Sequence, residues 1–160
     1  MTFETFEDID AWKKARVLTK SVYKVTAKGA FARDYALRDQ LRRACVSIMS
    51  NVAEGFGRGG RREFLQFLSV AQGSTNEVCS HLYVALDLGY VDDEQFRALT
   101  GLAHESARLI GGLARYLRTT TVPGIKFRVA GSGGPRTPNN RLQTRNPKPQ
   151  TTNSKLETTS

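Results

Sequence analysis

Apolar residues recur every three or four positions from residue 8 to residue 118, and that period is compatible with little besides packed helices. At about 100° per residue, Ala11, Ala15, Leu18, Val22 and Val25 share one arc with Trp12 at its edge, which predicts a helix over residues 8–29. Leu37, Leu41, Ala44, Cys45, Ile48, Met49 and Val52 predict a second helix over 34–54, with Gly55 as its left-handed terminal residue. A third runs over 61–88 on Phe64, Phe67, Leu68, Ala71, Val78, Leu82, Ala85 and Leu86, and Gly89 stops it. Asp92 caps a fourth, whose core side is Phe96, Leu99, Leu102, Ala103, Leu109, Ile110, Leu113 and Leu117. Short connections between long amphipathic helices favour antiparallel neighbours. The expected class is all-α: an antiparallel up-down four-helix bundle over residues 1–120.

Charge separates that bundle from the remainder of the chain. Residues 1–120 carry 17 Lys/Arg against 14 Asp/Glu, whereas residues 121–160 carry 7 against 1. Most of the net charge of +9 therefore lies in the last quarter of the chain. That segment is rich in Pro, Gly, Asn, Thr and Ser and has too few apolar residues to offset ordering entropy, so it reads as a basic disordered tail.

Several classes are set aside by composition. The first ten residues, MTFETFEDID, are acidic and carry no apolar run, so no signal peptide is expected. No stretch has the length of a membrane span, which points to a cytoplasmic protein without a membrane partner. Cys45 and Cys79 fall on or near core arcs, which favours buried reduced thiols over a disulfide. Neither forms a zinc pattern. Glu77 and His81 stand four apart on a polar flank, and the Glu-x-x-His of a di-metal bundle is missing, so no metal and no cofactor are expected.

The stretch RRACVSIMSNVAEGFGRGGRREF, residues 42–64, is the densest in signals. GFGRGG satisfies G-x-G-x-x-G, but a dinucleotide site needs a strand before the loop, and here a helix precedes it. The Walker form fails as well, because no Gly-Lys-Ser/Thr comes after it. The loop is a helix–helix connection. Arg58, Arg61 and Arg62, beside helix N-terminal amides, are candidates to hold a phosphate. On the preceding helix Arg43, Ser47, Asn51, Glu54 and then Gly55 form a ridge of mainly small and amide side chains. Such a ridge suits close approach of a neighbouring helix or subunit.

These residues, with FEDIDAWKKA upstream and AQGSTNEV and LDLGYV downstream, resemble the 23S rRNA intervening-sequence protein family. That family includes the accessory variability determinants of diversity-generating retroelements. The similarity spans roughly residues 3–118, and Asn51, Ala53, Glu54 and Gly55 occupy its Asn-x-Ala-Glu-Gly positions. Met49 stands where many members carry proline. The resemblance implies an up-down four-helix bundle, a ring-shaped homopentamer and no catalytic residue. From the retroelement members it also implies nucleic acid and a reverse transcriptase as partners.

The charge pattern carries a functional expectation of its own. Lys13, Arg16, Lys20, Lys24 and Lys28 are spaced 3, 4, 4 and 4 apart, opposite the apolar arc of the first helix, with no acid interrupting them. Arg97, His104, Arg108 and Arg115 form a second stripe on the fourth helix. Rows of cations suit a phosphate backbone, because each neutralised phosphate releases counterions. The sequence is therefore read as a non-enzymatic scaffold that binds nucleic acid, RNA foremost, and associates with itself. No recognition helix or aromatic base-stacking platform is evident. Phe31 and Tyr35, near a helix start, are able to stack on bases, but packing at the end of the bundle is the expectation. Two alternatives stand beside this reading. One is a small RNase similar to the HEPN class acting through Arg97 and His104, although Ala98 replaces the polar residue usual there. The other is a scaffold for protein contacts alone.

Overall fold

A computed structural model describes residues 3–119 of the chain. The expectations for a disordered tail and for a domain boundary at residue 120 lie outside the described residues. Those described form four long helices: α1 Asp10–Val25, α2 Tyr35–Gly57, α3 Arg61–Asp87 and α4 Asp93–Thr119. Two 3-10 turns, Phe6–Asp8 and Phe31–Arg33, precede α1 and α2. Each helix packs against the next, and α4 returns to α1, which closes the up-down bundle.

The helix ends obey local chemistry. Asp8 Oδ2 accepts hydrogen bonds from the backbone N–H of Glu4 (2.9 Å) and Thr5 (3.0 Å), and these hold its carboxyl below the usual carboxylate range. The chain then enters α1 at Asp10, slightly later than the apolar spacing predicts. It leaves at Val25, so Lys28 sits in the turn beyond, where Gly29 takes φ +58°. Asp34 Oδ1 accepts from Leu37 N at 3.0 Å and starts α2. At the end of α3, Tyr90 N donates to Ala85 O and Gly89 N to Leu86 O, a Schellman pattern that uses Gly89 at φ +68°. Asp92 and Gln95 cap each other's backbone amides at the start of α4, a reciprocal capping box.

One expected boundary is corrected. Gly55 does not end α2 in a left-handed conformation; the helix runs on to Gly57, and Gly59 makes the turn at φ +69°. Gly55 is instead a buried contact residue. A Cβ there would stand 2.6 Å from the Phe64 ring and 2.8 Å from Phe67 Cβ. The glycine is required by the proximity of α3, not by a turn.

The core is continuous through all four helices. Leu18, Leu41, Ile48, Phe64, Leu68, Leu82, Ile110 and Leu117 are fully buried within it. Val25, Leu37, Met49, Leu86, Phe96, Leu102 and Leu109, also expected in the core, lie half-buried against its rim. At one end Phe31 is buried and stacks on Tyr90 with ring centroids 5.0 Å apart.

Candidate functional site

The cations of α1 stand on its outer face because Ala11, Ala15, Leu18 and Val22 turn the opposite face into the core. Lys13, Arg16, Lys20 and Lys24 are all exposed, as is Lys28 in the turn beyond. They are not electrostatically equal. Lys13 Nζ lies 3.1 Å from Asp10 Oδ1, so an acid does border the stripe at its N-terminal end. Off the stripe, Lys14 pairs with Glu105 at 2.9 Å and ties α1 to α4. Among the described residues no carboxylate pairs with Lys20 or Lys24, which leaves the middle of α1 uncompensated.

On α4, Arg97, His104, Arg108 and Arg115 are likewise exposed. Arg108 also borders a cavity of about 310 Å³ lined in part by Phe3, Ile9, Leu109 and Tyr116. Since α4 neighbours α1, the fold brings two basic faces onto adjacent helices. Arg97 and His104, the residues of the RNase alternative, stand on this open face.

The glycine loop is more nearly neutral than its sequence suggests. Arg58 bonds Glu54 at 2.7 Å, which raises the guanidinium's already high pKa. Glu63 places its carboxylate over Gly60 at the start of α3, the position that an anion drawn to those amides would take. Arg61 and Arg62 are exposed beside it.

The ridge on α2 divides into two parts. Ser47 Oγ meets Ser74 Oγ of α3 at 2.9 Å, and Asn51 Nδ2 donates to Ser47 O and Oγ. Ser47 and Gly55 thus serve the α2–α3 contact within the chain, while Arg43 and Glu54 remain exposed.

The other flank of α2 holds pairings that the sequence analysis does not anticipate. The Arg42 guanidinium lies over the Tyr23 ring, 4.5 Å from its centroid, and Arg42 Nε donates to the buried Thr26 Oγ1 at 2.8 Å. Arg38 lies over Tyr35 at 4.7 Å and donates to Ala32 O and Asp39 Oδ1. That bond from Arg38 holds the Asp39 carboxyl below its ordinary range. Arg16 covers Trp12 at 5.8 Å. Tyr23 and Arg42 border an open groove of about 700 Å³ with Asp39, Arg43, Val46, Ser47 and Ser50. The expectation that Tyr35 packs at the bundle end is corrected: Phe31 fills that place, and Tyr35 is 65% exposed. Spacings of three and four within one helix would have disclosed Tyr35–Arg38 and Trp12–Arg16. Tyr23–Arg42 joins two helices, and no local spacing reveals it.

Burial pushes the Cys45 thiol up to about 12, with Cys79 nearby adding to the shift, and burial also raises the Cys79 thiol. Both are free cysteines, and thiolate chemistry at neutral pH is disfavoured at each. Glu77 Oε1 lies 3.5 Å from His81 Nε2, and among the described residues no group of three or more His, Cys, Asp or Glu could hold a metal ion. Among the same residues no helix is long and apolar enough to cross a membrane.

Comparison with known proteins adds two findings. The sequence model of the family described as 23S rRNA-intervening sequence protein matches residues 7–112. Among solved structures, the chain is similar to a protein of unknown function from the S23 ribosomal protein family of Bacteroides thetaiotaomicron. The two share 19% sequence identity with a TM-score of 0.61, over 66% of this chain and 95% of that one. At that identity the likeness speaks for the fold alone. No curated protein matches the chain.

Proposed function

The chain belongs to the 23S rRNA-intervening sequence protein family, and from that premise we propose that it is a non-enzymatic, homo-oligomeric scaffold that binds nucleic acid, RNA foremost, through the outer faces of α1 and α4. The observation that carries this reading is the uncompensated middle of α1. Lys20 and Lys24 are exposed without a carboxylate partner among the described residues, beside a helix that exposes Arg97, Arg108 and Arg115. Unpaired cations gain most from a phosphate, because no internal ion pair has to be given up. Self-association repeats the basic faces and multiplies weak contacts by avidity.

A contact between copies has surface available on the α2–α3 side. Val70 and Val84 of α3, with Leu88 just beyond its end, are 42–53% exposed, and 14 residues separate the two valines, which puts them on one strip. Arg43, Asn51 and Glu54 of the ridge complete the proposed contact. The family resemblance makes a pentamer the expected closed form. It also makes a reverse transcriptase the expected further partner where the gene lies beside one.

Titration of a labelled RNA against the full chain by fluorescence anisotropy, from 50 to 200 mM salt, tests the binding claim. The logarithm of affinity should fall linearly with that of salt, by roughly 0.7–0.9 per phosphate contacted. Lys20→Glu with Lys24→Glu should weaken binding on the order of tenfold or more and flatten that slope. The same affinity in the double variant, or RNA cleaved by the wild type, would overturn the proposal. Light scattering on the same sample tests self-association, since a monomer mass at assay concentration would remove it.

A further inference from the structure

We infer that the groove along α1 and α2 is a base-stacking site for single-stranded nucleic acid, an inference that rests on the nucleic-acid function proposed for the chain and names its substrate class. Tyr23 and Tyr35 remain 42% and 65% exposed although an arginine lies over each ring. Neither ring belongs to the buried core, whereas Val22, Phe31 and Leu41 do.

The guanidinium groups are fixed from behind. Arg42 is held by Thr26 Oγ1, and Thr26 is itself fully buried and bonded to Val22 O at 2.8 Å. Arg38 is held by Ala32 O at 2.9 Å and by Asp39 at 2.8 Å. Each pair therefore presents an aromatic surface and a cation in a set geometry, with little side-chain freedom left to lose on binding. Bases stack on such surfaces whatever their identity, because every base has a π-face, and the cation answers the adjoining phosphate.

The pairs lie in a line. Tyr35 and Arg42 are seven residues apart, on one face of α2, and Tyr23 brings α1 into register with them. At 1.5 Å per residue, Tyr35 to Arg42 covers about 10 Å, and Tyr23 back to Trp12 about 16 Å more. A track of that length takes about four nucleotides, at the short end of single-strand sites. Lys20 and Lys24 flank Tyr23 on α1, and Arg43 enters the groove from α2. Asp39 is the lone carboxylate among the groove's lining residues, and its charge is already engaged by Arg38. A duplex cannot use this surface, because its base faces are covered by their neighbours in the stack.

The test is anisotropy with a labelled 12-nucleotide single strand, the same strand in a duplex, and a poly-glutamate of equal charge as competitor. The single strand should bind about tenfold more tightly than the duplex. Tyr23→Leu and Tyr35→Leu should each weaken it on the order of tenfold, while duplex binding and the salt slope stay unchanged. Tyr35→Phe should retain affinity, because the ring and not the hydroxyl is used. Equal binding of strand and duplex, indifference to both leucine variants, or displacement by poly-glutamate as readily as by unlabelled strand would overturn the inference and leave the wider proposal standing. Failure of the wild type to bind either nucleic acid at low salt would overturn both.

Discussion

Helix α2 meets its two neighbours by opposite means. Toward α3 it presents Ser47 and Gly55, and the helices come so close that a single methyl at Gly55 would collide with Phe64 and Phe67. Toward α1 it presents Arg42 and Met49, whose long side chains reach Tyr23, Thr26 and Thr19 through stacking and hydrogen bonds. Close packing of small residues gains dispersion contacts and leaves no room for a ligand. A seam bridged by arginine over tyrosine leaves polar edges, exposed rings and an open groove. One flank is closed by packing, and the other stays open to solvent.

The strongest way to break the contrast is on the tight flank. Phe64→Ala should lower stability by about 3–5 kcal/mol, read from the urea midpoint. Gly55→Ala should cost about 1–3 kcal/mol through overpacking, offset in part by the roughly 1 kcal/mol that alanine gains over glycine in a helix. The Gly55→Ala penalty should shrink in a Phe64→Leu background, where the nearest ring is gone. An unshifted midpoint for Gly55→Ala alone would mean that α3 is free to recede, and the two flanks would then not differ.

The open flank should respond more gently. Thr26→Val removes an acceptor from Arg42 Nε and a donor to Val22 O, and about 1 kcal/mol should be lost. The variant should also loosen the Arg42–Tyr23 stack, so a cycle with Tyr23→Leu should show coupling. Strict additivity would show that Thr26 does not position the arginine.

The smallest expected effect is a pH dependence at Asp39. Its carboxyl is held below the ordinary range by the Arg38 hydrogen bond, so the stabilisation is present above the unfolded value near ~3.9 and is lost as pH falls through the folded one. The Asp39 carboxylate is about half exposed, so the effect is screened and small. Thermal melts between pH 6 and 3 should fall slightly less steeply in Asp39→Asn than in wild type. Parallel curves would show that the Arg38 fork is idle.

Much of the fold is legible in the chain. The apolar period places all four helices, and Gly89 and Asp92 mark a stop and a start that the hydrogen bonds bear out. Gly55 misleads, because a glycine near a helix end suits a turn and a close approach equally well. Only the position of α3 separates the two. The candidate site is less legible for a similar reason. The stripe on α1 is a matter of spacing, but the pairing of Lys13 with Asp10 and of Lys14 with Glu105 depends on rotamers and on a neighbouring helix. That pairing separates compensated cations from Lys20 and Lys24.

By itself the sequence determined the class, the order of the helices, the family and the basic outer faces. Each of these comes from composition and from a period internal to one helix. The tertiary structure alone decided which glycine turns the chain, which cations lack a carboxylate partner among the described residues, and that Tyr23 meets Arg42 across 19 residues of sequence. Those outcomes depend on the distance and register between helices. Helix spacing is set by the summed packing of the whole core, so no local pattern encodes it.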